Sequence, residues 1–198
     1  IAQGAAMCCD SAHKTLPVVT GGAYLHLAHD APVQDEAAVR GALALFGSTS
    51  PSYLILQSLD ACNAVLAGDY PRRLAQCCAA LEGLRRSLNK AAAARQSPVP
   101  LAVAGAQQEP MKLTLDAAAL GCTGTALAEA LRRAQMECEY ADPRYVVLMF
   151  TPENPPQDFE RLQTVLERLL AAVPAGLPRP ENRAGEFASL QQQAVQHC

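Results

Sequence analysis

Long apolar runs are missing from this 198-residue chain. The longest stretches, such as Tyr145-Val-Val-Leu-Met-Phe150, fall far short of the ~20 residues that span a bilayer, so no membrane partner is expected. A dense basic run is missing too. Lys and Arg total 16 against 19 Asp and Glu, a net charge of −3, which speaks against a phosphate-backbone binder and so against a nucleic-acid partner. The opening Ile1-Ala-Gln-Gly-Ala-Ala-Met7 has neither a basic n-region nor an apolar h-region and does not read as a secretory signal. It also lacks an initiator Met, as expected of a chain that begins partway through something longer or has been processed. No internal repeat is visible.

Cysteine is plentiful, yet the spacings that would give it chemistry are absent. The eight cysteines stand at 8, 9, 62, 77, 78, 122, 138 and 198, with two vicinal pairs and no C-x-x-C, so neither a zinc nor a redox spacing is present. Without a secretion signal they read as reduced, small apolar residues of a cytoplasmic protein. His26 and His29 lie three apart with no third ligand nearby, and a strand end followed by a turn accounts for them; no metal is expected.

What the chain does have is apolar content. Half of its residues are hydrophobic and 18% are charged, a globular balance that excludes disorder, and the length suits one or two domains. The segment from Val18 to Leu27 is β-rich around the Gly21-Gly22 pair and predicts a strand ending near Leu27. Ala31-Pro32-Val33 reads as a turn and helix start, with helical periodicity from Asp35 to Leu45. After Gly47-Ser-Thr-Ser-Pro51, Ser50 is expected to cap a helix whose first residue is Pro51 and which runs to about Gly68. A long helix follows, with Leu74, Cys77, Cys78, Leu81, Leu84 and Leu88 on one side and Arg72, Arg73, Arg85, Arg86 and Lys90 elsewhere. The stripe is too short for a coiled coil and reads as a helix packed on a core.

Ser97-Pro98-Val99-Pro100 ends that helix and marks the expected boundary between residues 1–96 and a second domain, 97–174. The second domain reads strand (111–115), helix (123–135), strand (137–140), strand (145–151) and helix (157–173), an α+β pattern with helices on one face of a small sheet. Residues 175–198, punctuated by Pro178, Pro180 and Gln191-Gln-Gln193, read as a polar tail.

The segment Asp10-Ser-Ala-His-Lys-Thr-Leu-Pro17 is the richest in chemistry. A lysine ε-amine forms a Schiff base with an aldehyde, more readily once partial burial lowers its pKa. A hydroxyl three residues back, on Ser11, and the imidazole next door, on His13, are groups that bind an anion such as a phosphate. On spacing alone the same letters suit a solvated loop equally well.

The wider string Ser11-Ala-His-Lys-Thr-Leu-Pro17, Thr20-Gly-Gly-Ala-Tyr-Leu-His26, Gly47-Ser-Thr-Ser-Pro-Ser-Tyr-Leu54 and Ser58-Leu-Asp60 resembles the bacterial ornithine/lysine/arginine decarboxylases, pyridoxal-phosphate enzymes of the aspartate-aminotransferase fold. The second domain is similar as well, through Lys112-Leu-Thr-Leu115, Gly121-Cys-Thr-Gly124 and Glu139-Tyr-Ala-Asp142 onward, so the resemblance covers about residues 1 to 172. It implies an α/β fold, part of the large domain of a fold-type I enzyme including the long connecting helix, followed by a small α+β domain. It implies that Lys14 binds pyridoxal phosphate as a Schiff base, with Ser11 and His13 at the phosphate end. Thr49 and Ser50 would contact the phosphate across a homodimer interface, because the family's S-T-S-P-S-Y loop reaches the neighbouring subunit's site. The implied reaction is decarboxylation of ornithine, lysine or arginine, with Lys14 or a neighbouring acid returning a proton. A carboxylate for the distal charge of such a substrate is not singled out among Asp30, Asp35, Glu36, Asp60 and Glu139.

The chain also departs from the family. The acid that pairs with the pyridine nitrogen, the ring that stacks on the cofactor and the glycine-rich phosphate turn all lie well upstream of the lysine in the family, whereas 13 residues precede Lys14 here. Asp10 reads as a strand-end or turn residue rather than as the pyridine partner. The expectation is a truncated chain holding half a site, with little or no decarboxylase activity alone. Two alternatives stand beside it: a non-catalytic dimerisation or interaction module derived from such an enzyme, and another fold-type I lyase or an aminotransferase, since the chemistry at Lys14 is common to all of these.

Overall fold

A computed structural model describes residues 1, 4–33, 35–105 and 108–174. The tail expected from residue 175 lies outside the described residues. Two compact units divide the chain, Ile1–Arg73 and Leu74–Cys198.

The first unit pairs two short strands, β1 (Met7–Asp10) and β2 (Tyr24–Leu27), antiparallel with Cys8 opposite His26 and Asp10 opposite Tyr24. A 3-10 turn, Ala12–Lys14, leaves β1, its first residue Ala12 buried. The strand expected over 18–27 therefore starts only at Tyr24. Gly21 takes a positive φ of 100° and the Gly22 N–H donates to Val19 O at 3.1 Å, so the glycine pair is a turn. A Cβ on Gly22 would meet Val18 Cγ1 and lie 3.3 Å from Leu59 Cδ2, so the missing side chain also lets the following helical segment pack close.

Helix α1 (Glu36–Phe46) starts at Asp35, whose carboxylate accepts from the Ala37 N–H at 2.9 Å; the 31–33 turn precedes the helix rather than opening it. Helix α2 (Tyr53–Ala67) corrects the reading of Ser50 as a helix cap. The residue at the cap is Ser52, and the Ser50 N–H instead donates to Ser48 Oγ at 3.1 Å. The Ser48 hydroxyl holds the backbone at Ser50 in a local turn three residues before the first helical residue, and the helix begins beyond it. Helix α3 (Tyr70–Ala94) then crosses from the first unit into the second.

The second unit holds β3 (Lys112–Asp116), α4 (Gly124–Arg133), β4 (Tyr140–Ala141), β5 (Tyr145–Met149) and α5 (Pro156–Ala172). The sheet order is β3-β5-β4, all antiparallel, with Leu113 opposite Leu148 and Leu115 opposite Val146. Alternation buries Leu113, Leu115, Val146 and Leu148 and leaves Lys112, Thr114 and Val147 half-buried on the other face. Leu81, Leu84 and Leu88 of α3, Leu127 and Leu131 of α4 and Leu162, Leu166 and Leu170 of α5 complete one core with those strand residues. The stripe of α3 is thus a core stripe, as its spacing predicts. The unit boundary falls at 73/74 rather than at 96/97 because most of α3 is bound into this core.

Polar groups close the ends of the sheet. Buried Asp116 accepts from Arg144 Nη2 at 2.8 Å and Nε at 3.1 Å and also from the Ala118 N–H at 3.1 Å, joining β3 to β5. Thr123 Oγ1 caps α4 by accepting from the Ala126 N–H at 3.2 Å. Thr123→Ala is expected to cost about 1 kcal/mol, read as a lower urea midpoint at unchanged slope.

Cys8, Cys9, Cys62, Cys77, Cys78, Cys122 and Cys138 are free thiols, and burial pushes the Cys77 thiol up from its ordinary range. Among the described residues no cluster of three or more His, Cys, Asp or Glu could hold a metal ion, and no helix is long and apolar enough to cross a membrane.

Candidate functional site

The first unit contains an open pocket of about 440 Å³ at the point where β1 gives way to the 3-10 turn. Asp10, Ser11, Ala12, Lys14, Thr15 and Leu16 line it from the turn, Tyr24 and His26 from β2, and Asn63 and Leu66 from α2. The turn is held by its own backbone, with Lys14 N–H donating to Ser11 O at 3.0 Å and Leu16 N–H to Ala12 O at 2.8 Å. Beyond the turn, the His13 N–H donates to Gly22 O at 3.3 Å and the Tyr70 hydroxyl to Thr15 O at 3.4 Å. Buried Ala12 anchors the turn, so Lys14 and Ser11 are carried exposed on a fixed backbone.

Helix α2 is docked beside the pocket by side chains. Tyr24 hydroxyl reaches Leu59 O at 2.9 Å and Asn63 Oδ1 at 3.1 Å, and Ser58 Oγ accepts from the Val19 N–H at 3.2 Å. Burial is the main cause that raises the Tyr24 phenol above its ordinary range. Across the strand pair, His26 Nε2 lies 3.2 Å from Asp10 Oδ2, while the Cys8 thiol donates to Asp10 Oδ1 at 3.2 Å. That bond to a carboxylate is the largest cause raising the Cys8 pKa, which keeps the thiol protonated and a poor nucleophile.

Of the residues singled out in the sequence, the structure brings Ser11 and Lys14 together in this pocket. Ser11 stands at the cap of the turn without a side-chain capping bond, and among the described residues the Lys14 ammonium has no hydrogen-bond or ion-pair partner. His13, half-buried beside them, is not among the lining residues. Thr49 and Ser50 are exposed on the loop between α1 and α2 and do not line the pocket. Around that loop, Leu45, Phe46, Tyr53 and Leu54 are exposed, Phe46 to 91%. Exposed large apolar side chains on both flanks of one loop suit a surface that something else covers.

Sequence reasoning missed four polar or aromatic pocket residues: Asp10, Tyr24, His26 and Asn63. No strand is expected over 7–10 from the sequence, so nothing there links Asp10 to His26 across a strand pair. Of the carboxylates left open for a distal charge, Asp35 caps α1 and Glu36 pairs with Arg40 at 2.7 Å. Asp30 and Asp60 do not line the pocket, and Glu139 belongs to the second unit.

Comparison with known proteins agrees with the strings quoted above. The family model described as Orn/Lys/Arg decarboxylase, major domain, matches residues 2–102, just over half of the chain. Uncharacterized protein YaaO of Bacillus subtilis (strain 168) is 34% identical over 151 residues, which is 74% of this chain and 30% of that protein. The constitutive lysine decarboxylase of E. coli is similar in fold at a TM-score of 0.64 and 19% identity, over 84% of this chain and 28% of that one. The Francisella novicida lysine decarboxylase LdcF matches at a TM-score of 0.63 and 18% identity, over 81% of this chain and 27% of that one. The chain therefore spans less than a third of the length of these relatives. With its lysine turn inside the matched segment and its mixed helix-and-sheet fold shared with the lysine decarboxylases, the chain belongs to the Orn/Lys/Arg decarboxylase family.

Proposed function

We propose that this chain carries the cofactor lysine of a pyridoxal-phosphate-dependent decarboxylase acting on ornithine, lysine or arginine, and that this lysine is Lys14. The observation that carries the reading is an exposed lysine with an uncommitted ammonium beside an uncommitted serine hydroxyl, both lining one pocket on a turn fixed by its backbone. That donor set fits the cofactor. The Lys14 amine would hold the aldehyde carbon covalently, the Ser11 hydroxyl would donate to the phosphate, and His13 would lie at the phosphate end. When bound, pyridoxal phosphate supplies an electron sink for the carbon that loses its carboxylate. Lys14 Nζ, tethered on the turn, or a neighbouring acid would return a proton to that carbon.

Thr49 and Ser50, exposed on a loop with apolar neighbours, would reach the phosphate of a second copy in a homodimer, with the α1–α2 face at that interface. The whole enzyme would work in the cytoplasm. The 198 residues by themselves would hold half a site and turn over little or no substrate, since the acid and the phenol that do line the pocket are engaged elsewhere, Asp10 with His26 and Cys8 and Tyr24 with Leu59 O and Asn63. A second reading, a non-catalytic dimerisation module, is favoured by the exposed Leu45, Phe46, Tyr53 and Leu54.

Borohydride reduction after incubation with pyridoxal phosphate, followed by peptide mapping, separates the two. The chain has three lysines, and the enzyme reading expects Lys14 to be trapped ahead of Lys90 and Lys112. Equal trapping of all three would favour the module. CO₂ release from ornithine, lysine or arginine by the chain alone would overturn the half-site proposal.

A further inference from the structure

Among the residues lining the pocket, Asp10 is the one carboxylate and Lys14 the one ammonium, four positions apart in sequence. An amine attacks a carbonyl only after losing its proton, and a nearby carboxylate favours the protonated form. A free Asp10 would therefore be the natural partner of Lys14 and would suppress its reactivity. In the structure Asp10 is already engaged: His26 Nε2 lies 3.2 Å from Oδ2 and the Cys8 thiol 3.2 Å from Oδ1. The strand pairing explains the arrangement. With Cys8 opposite His26 and Asp10 opposite Tyr24, the alternation of side chains puts all four on one face, and Asp10 and His26 become diagonal neighbours. Imidazole can donate from Nε2 as the cation and in one of its neutral tautomers, so the bond does not require a charged His26.

We propose that His26 is a positioning residue for Lys14: by holding the Asp10 carboxylate across the strand pair, it keeps that carboxylate off the Lys14 ammonium and leaves the amine available to a carbonyl. The inference rests on the reading of Lys14 as the cofactor lysine and names the device that keeps it reactive. Other titratable groups surround the pair. His13 shares the turn, Cys9 is on β1, Tyr24 is beside His26 with ring centroids 6.0 Å apart, Asp60 and Cys62 of α2 act on Tyr24, and Tyr70 donates to Thr15 O. None of these is a carboxylate lining the pocket, so Asp10 is the group whose release would matter.

The test needs no cofactor. Competitive acylation of the full chain over a range of pH, read by peptide mass spectrometry, gives the pH of half-maximal labelling for Lys14, with exposed Lys90 as the internal standard. His26→Ala is expected to raise the Lys14 midpoint by about half a pH unit, roughly a threefold slower labelling at fixed pH below the midpoint, the scale of an exposed ion pair. Asp10→Asn added to His26→Ala should restore the wild-type profile, and His26→Gln, which keeps a donor, should stay near it. A simple structural role for His26 would not be reversed by removing the carboxylate. The proposal is overturned if His26→Ala leaves Lys14 unmoved relative to Lys90, or if Asp10→Asn fails to reverse the shift. Should His26→Ala unfold the first unit, Asp10→Asn alone decides: a Lys14 midpoint at or below wild type supports the device, and a rise overturns it. Failure of pyridoxal phosphate to be trapped at Lys14 would instead sink the decarboxylase reading while leaving this acylation result standing.

Discussion

Lys14→Arg is expected to abolish preferential reductive trapping of pyridoxal phosphate, leaving only the background of Lys90 and Lys112, without unfolding the chain. Arginine keeps the charge and an aliphatic stem, but its guanidinium does not deprotonate and cannot form the Schiff base. Nothing in the packing depends on the lysine itself. Lys14 is exposed, its ammonium has no partner among the described residues, and the turn that carries it is held by backbone bonds and by buried Ala12. Far-ultraviolet circular dichroism should therefore superimpose on wild type while the mapped Lys14 peptide loses its label. Trapping at wild-type level in Lys14→Arg would place the reactive lysine elsewhere.

Gly124→Ala is expected to be the most damaging single-methyl change in the second unit. Gly124 opens α4 against the Asp142–Tyr145 turn, its N–H donating to Pro143 O at 3.0 Å. A Cβ there would collide with Asp142 O and lie 2.6 Å from Tyr145 O. Both obstacles are backbone atoms and cannot rotate away. The turn they belong to is also fixed, because Asp142 Oδ1 accepts from the Arg144 N–H at 2.7 Å and from the Tyr145 N–H at 2.6 Å. Tyr145 begins β5, whose next residue Val146 is fully buried, so moving the turn moves a core strand. The cost should be about 3 kcal/mol, the upper end for overpacking, read as a fall in the urea midpoint. Gly83→Ala is the control. It lies in α3 with nothing within 4 Å of an added Cβ, and should stabilise by about 0.5–1 kcal/mol through helix propensity. Equal destabilisation by the two changes would mean that the close approach at Gly124 is not what limits the fold.

The two units differ in how far they could be read in advance. In the second, the three-and-four spacing of α3, the helix expected over 123–135 and the strands expected over 111–115 and 145–151 agree with the observed elements to within a few residues at their ends, because each element's own core face makes its period visible. The first unit was harder. Its helix α1 has no buried residue, so its apolar positions report a surface the described residues do not fill, and β1 is four residues long with adjacent cysteines in place of a clear alternation. The cap at Ser52 instead of Ser50 goes with a local turn in which the Ser50 N–H donates to Ser48 Oγ, a contact that the residue types do not specify.

What the amino-acid order determined alone was the family, and with it the string that carries Lys14, the lysine we propose for the cofactor. Ser11-Ala-His-Lys14 and Gly47-Ser-Thr-Ser-Pro51 are contiguous strings, and a contiguous string survives any uncertainty about folding. What only the tertiary structure decided was the company that lysine keeps. Asp10, His26, Tyr24 and Asn63 are drawn from three separate elements, and they meet because an antiparallel register sets Cys8 against His26 and a glycine turn admits α2 beside it. Such neighbours depend on pairing between distant segments, where a slip of one residue would turn Asp10 to the opposite face, and local composition does not specify that register.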